Sequence, residues 1–135
     1  MIRLSSFDDL VLAARAQPER QRLLLVFAHI GLPADATPEQ RASFEAGRGG
    51  ALTPVMCVDK AAEDFAAFAD LAADADRSGN AWSVVFVAAI GHRDGVAPST
   101  DQVGIAMQQM IEAIGAGRPR GFALFDRDGR PVQLG

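Results

Sequence analysis

Gly47 to Lys60 reads GRGGALTPVMCVDK, running from three closely spaced glycines through a short apolar segment to the chain's only cysteine and only lysine. Glycine adopts φ > 0 without a Cβ penalty, so Gly47, Gly49 and Gly50 suit a helix end, a tight turn or a close approach of backbone to a ligand. Leu52 to Val58 then reads as a largely buried strand, with Pro54 near its first residues because proline donates nothing to a ladder. Asp59 falls where a helix N-cap belongs, ahead of an alanine-rich segment that begins at Ala61. A buried strand between two helices makes this stretch one step of an alternating α/β chain.

Outward from that stretch the same alternation repeats. Ser5 or Ser6 caps a first helix, whose apolar face is Phe7, Leu10, Val11 and Ala14 and which ends before Pro18. Leu23 to Ala28, LLLVFA, is a continuous apolar run of strand length, as in a sheet covered on both faces. Thr37-Pro38-Glu39-Gln40 opens a short helix with a capping threonine, a proline at the first position and a glutamine three residues after the cap. That helix reaches Phe44 to Ala46 and stops at Gly47.

Downstream, Ala61 to Ala75 reads as a helix with Phe65, Phe68, Ala69 and Ala72 on one face, closed by a turn at Arg77 to Asn80. Trp82 to Ile90, WSVVFVAAI, is a third buried strand. Ser99 with Gln102 is a second capping box, opening a helix whose inner face is Val103, Ala106, Met107, Met110, Ile111 and Ile114. Gly115 to Gly117 ends it. Phe122 to Phe125 and Pro131 to Leu134 flank Asp128-Gly129, a hairpin signal, and Pro131 is tolerated on an antiparallel edge. The expected fold is a single α/β domain over residues 1–135: a layered, mixed sheet of mainly parallel strands flanked by helices, with a C-terminal β-hairpin.

Composition sets bounds on function. At 135 residues the chain is long enough for one real core. A net charge of −4 lacks the basic face a phosphate-contacting nucleic-acid binder needs. The apolar runs are too short to span a bilayer, and no signal segment opens the chain, so a cytoplasmic location is expected. One cysteine excludes an internal disulfide, a Cys-x-x-Cys redox pair and a multi-cysteine zinc site.

Ligands of open parallel sheets bind beyond the carboxyl ends of the strands. Here those ends carry His29, Asp59 with Lys60, and the loop with His92, Arg93 and Asp94. Parallel strands would gather both histidines on one rim, where His29, Asp59 and His92 offer a divalent-metal or acid/base set. The alternative assigns His29 to a strand end, Asp59 to a cap and His92 to a solvated loop, since no metal-ligand spacing joins them. Cys57 is a nucleophile candidate or, between Met56 and Val58, a buried small hydrophobe that shares a face with Val55 and Asp59. Gly47, Gly49, Gly50, Thr53, Lys60 and Arg93 are the ligand-binding candidates. Arg118 and Arg120, around Pro119, are anion-reading or simply solvated. No cofactor motif is evident, because the glycine loop precedes a strand and no Gly-Lys-Ser/Thr follows it.

Ser6-Phe-Asp-Asp-Leu10, Thr37-Pro-Glu-Gln-Arg41, Gly49 to Lys60 and Phe122 to Gly129 together resemble a family of small proteobacterial proteins often labelled "ribonucleotide reductase subunit alpha". The resemblance covers nearly the whole chain and implies an accessory role in nucleotide metabolism. It transfers no catalytic residue, because reductase chemistry needs a radical cysteine plus a cysteine pair and this chain has only Cys57. Phe122 to Gly129 is also similar to the terminal hairpin of thioredoxin-like domains, and Leu23 to Ala28 to their central strand, although the cysteine motif is missing. Two functions are therefore expected in competition. One is a non-enzymatic module that binds a protein partner or pairs with itself. The other is a small-molecule or metal-dependent enzyme, or accessory factor, using the His29, Asp59 and His92 rim.

Overall fold

A computed structural model describes residues 6–32, 35–46, 51–117 and 121–132. Helix α1 (Phe7–Arg15) leads into strand β1 (Gln21–Gly31), helix α2 (Pro38–Glu45) and strand β2 (Ala51–Ala61). A 3-10 turn at Ala62–Asp64 precedes helix α3 (Phe68–Arg77), strand β3 (Val84–Gly91), helix α4 (Thr100–Gly115) and strand β4 (Ala123–Asp126). The helix starts follow the expected chemistry. Ser6 Oγ accepts from Asp9 N–H, and Thr37 and Ser99 each close a full capping box with Gln40 and Gln102. Gly47, Gly49 and Gly50, and Arg118 to Arg120, lie outside the described residues.

The four strands form one sheet in the order β2-β1-β3-β4, and every neighbouring pair is antiparallel. This corrects the expected mainly parallel sheet. Strands β2 and β3 do run in the same direction, since each opposes β1, but β1 lies between them. The crossover through α3 therefore skips a strand, a split βαβ arrangement. Alternation of helix and strand says that a chain returns to its sheet; it does not say beside which strand. The continuous apolar runs of β1 and β3 arise because helices cover both faces of the sheet, and that burial is indifferent to strand direction. β1 is an inner strand of the sheet, with antiparallel neighbours on both sides.

Two cores result. Leu23, Leu25, Phe27, Val85, Val87 and Phe125 face α1 and α3, where Phe7, Phe65, Phe68 and Trp82 pack edge to face or tilted. Leu24, Val26, Ala28, Val84 and Phe86 face the other way, against Met107, Met110 and Ile114 of α4.

β2 differs from the buried strand expected of it. It is an edge strand, with every residue at least partly accessible. A bulge interrupts it, because Phe27 pairs with Met56 and Ala28 with Pro54, leaving Val55 unpaired. Val55, Met56 and Val58 consequently all pack on the α1/α3 core, so Val55 does not share a face with Cys57. The expected helix from Ala61 starts later, at Phe68. Its first N–H there is satisfied from a distance, by Asp8 Oδ1 at 3.0 Å, since the N-cap residue Ala67 has no side-chain acceptor. The C-terminal hairpin is present in short form: Val132 N–H donates to Leu124 and Asp126 N–H to Arg130, closing the outer side of β4.

Candidate functional site

Antiparallel pairing splits the expected rim. Asp59 lies opposite Leu24, and Gly91, one residue before His92, lies opposite Gln21, so both reach the start of β1. His29 lies opposite Thr53, at the far end of the same strand. There the imidazole rests against Gly31, and its Nδ1 is 3.5 Å from Ser83 Oγ, which accepts from Ile30 N–H. His29 and Thr53 thus belong to one end of the sheet, and Asp59 and His92 to the other. Among the described residues no three His, Cys, Asp or Glu side chains gather closely enough to hold a metal ion.

What does assemble is a cleft of about 500 Å³ between the first two turns of α4 and the edge of the sheet. Its polar lining is Arg22, Cys57, Asp59, His92 and Thr100, and its apolar wall is Ala97, Pro98, Val103 and Met107, with Gly104 between. Strand alternation supplies the first set. Residues 22, 24 and 26 of β1 and 57 and 59 of β2 all project toward α4. Arg22 Nε and Nη2 lie 2.7 and 2.6 Å from Asp59 Oδ2, and each side chain keeps over a third of its surface exposed. This ion pair replaces the N-cap role expected of Asp59. His92 is carried by its own N–H, which donates to Arg20 at 2.8 Å and extends the β1–β3 ladder.

Cys57 is exposed, not buried, because its strand is at the edge and its side chain faces the cleft. Lys60 points to the opposite face, with Nζ 5.8 Å from the Phe65 ring centroid. Arg93 sits in a tight turn that pairs with Val96 through two backbone bonds of 2.9 Å, and lines a smaller neighbouring hollow. Arg22 and Gly104 were not singled out by sequence reasoning. Arg22 gave no local signal, since its partner is distant in the chain. Gly104 did give one, as an isolated glycine inside a well-capped helix.

The outer edge of β2 forms one rim of the cleft, and its hydrogen-bonding parity is fixed by the ladder. The Arg20–His92 bond, together with the Leu124–Val132 bond two strands away, directs the backbone of residues 22, 24 and 26 toward β3. Residues 23, 25 and 27 then serve β2, using Lys60, Val58 and Met56. The N–H and C=O groups of Cys57, Asp59 and Ala61 consequently point away from the sheet, and past the bulge Pro54 does too. Among the described residues no strand lies on that side.

No known protein family matches the chain, and no curated protein or solved structure does. No helix among the described residues is long and apolar enough to cross a membrane.

Proposed function

We propose that this chain is a non-enzymatic interaction module that pairs with a second copy of itself by strand addition at β2. The observation that carries the reading is the outward set of backbone groups at Cys57, Asp59 and Ala61, an open template for another strand. Pro54 and the Val55 bulge confine that template to Met56–Ala61. In an antiparallel two-fold pairing, outward residues must oppose outward residues. A register centred on Asp59 would set two carboxylates face to face, which is unfavourable. A register centred on Val58 sets Cys57 opposite Asp59 and Met56 opposite Lys60, with no like charges opposed.

Each copy carries a net charge of −4, so the association strengthens as salt screens the repulsion, and a protein suits this surface better than a nucleic acid. The same reading places the protein in the cytoplasm, where an exposed thiol stays reduced. The rival reading, an enzyme or a nucleotide-metabolism factor built on His29, Asp59 and His92, needs residues that sit at opposite ends of β1.

Sedimentation across a concentration and salt series tests the proposal. Cys57→Lys, which places a cation opposite Asp59 of the other copy, is expected to tighten the dimer, and Cys57→Asp to loosen it. A monomer at every concentration and salt, or two variants that behave alike, rejects it.

A further inference from the structure

Gly104 sits in the second turn of α4, where its presence is not explained by the fold. Its φ is not positive, and a Cβ built there would meet nothing within 4 Å. Neither backbone conformation nor close packing of the protein demands glycine, and glycine is the costliest residue after proline inside a helix. The open space beside it is the cleft, whose far side is the Arg22–Asp59 pair. Gly104 is exposed and lines a cleft of ligand size, so the helix backbone there is open to a molecule lying in the cleft.

The polar side of the cleft defines what fits. Arg22 spends Nε and Nη2 on one oxygen, Asp59 Oδ2. That leaves the guanidinium with N–H donors and the carboxylate with a second oxygen, side by side in a pair of zero net charge. A lone anion meets the carboxylate and a lone cation meets the guanidinium, each unfavourably. A zwitterion satisfies both, with its carboxylate on Arg22 and its ammonium on Asp59. Across the cleft from the pair, Pro98, Val103 and Met107 give an apolar wall. We propose that the cleft binds a free α-amino acid with an apolar side chain, the side chain lying along α4 where Gly104 leaves room. This site meets the self-pairing edge at Cys57 and Asp59, whose side chains line the cleft, but its ligand contacts are side chains facing α4 and not the outward backbone of β2.

The test is titration of the full chain with L-leucine, followed by backbone amide NMR, beside leucinamide (no carboxylate) and N-acetyl-leucine (no ammonium). Saturable shifts at Cys57, Asp59, His92 and Gly104 with leucine alone are expected. Gly104→Ala is expected to weaken leucine binding roughly tenfold through overpacking. The same variant should melt about 3 °C higher, because alanine favours the helix. That opposition separates a binding role from a structural one. Arg22→Gln, folded by its NMR spectrum, should lose the response. The proposal is overturned if leucine gives no saturable shift, if either analogue matches it, or if Gly104→Ala or Arg22→Gln binds leucine as the wild type does.

Discussion

Arg127 lies over Trp82, its guanidinium 4.5 Å from the ring centroid, and both side chains donate to the carboxylate of Asp76. Arg127 also donates to the Trp82 carbonyl at 3.2 Å. One carboxylate near the end of α3 thereby fastens the start of β3 to the C-terminal turn. The Asp76–Arg127 ion pair is half exposed and contributes little by itself. The indole N–H is the larger matter, because Trp82 is buried and would lose its acceptor.

Asp76→Ala is therefore expected to cost about 2 kcal/mol of stability, mostly from the stranded indole N–H. Arg127→Ala should cost about 1 kcal/mol, from the lost cation–π contact and packing. Urea unfolding followed by the fluorescence of Trp82, the only tryptophan, reads both. Equal, negligible losses would show that solvent replaces the cluster.

Gly129 is a position where glycine is required on two counts. Its φ is +77°, and a Cβ there would sit 3.0 Å from the Phe68 ring. Its carbonyl accepts from Phe7 N–H at 2.8 Å, tying the turn to the first turn of α1. Gly129→Ala should destabilise the fold by more than about 1 kcal/mol. A variant as stable as wild type in the same urea experiment would contradict that geometry.

Hydrogen exchange should report the parity of β2 directly. The amides of Cys57, Asp59 and Ala61 face out and are expected to exchange faster than those of Met56, Val58 and Lys60, which bond to β1. Raising protein concentration should slow Cys57 and Asp59 selectively as copies pair. Uniform rates along the strand would show that the alternation is misassigned.

Cys57 provides a simpler check. Exposed on the cleft side of an edge strand, it should react with a thiol reagent in the native protein, without denaturant. A thiol that reacts only after unfolding would put β2 back in the interior.

These cases show where sequence reading reaches its physical limit. The caps at Ser6, Thr37 and Ser99 were legible because donor and acceptor lie three residues apart. The runs of β1 and β3 were legible because burial writes itself into composition. Strand direction was not, since Gln21 to Gly91 and Arg22 to Ala61 are long-range pairings that leave no mark on either segment. Asp59 reads locally as a cap, yet its partner is Arg22. Two of the three rim residues, Asp59 and His92, stay together because β2 and β3 do run the same way. His29 was lost to it because β1 runs against both.

Val55 has no partner on β1, while its neighbours Pro54 and Met56 pair with consecutive residues, Ala28 and Phe27. It is in effect a spare residue in the ladder. A chain from which Val55 alone is deleted would keep every other β1–β2 partner and would straighten the edge, whereas removing Cys57 would leave the residues on one side of it out of step with β1. One-residue gaps should therefore be tolerated at the bulge, Pro54 to Met56, better than elsewhere in β2. A deletion scan scored by soluble yield would find that tolerance there, making the bulge the strand's expansion joint.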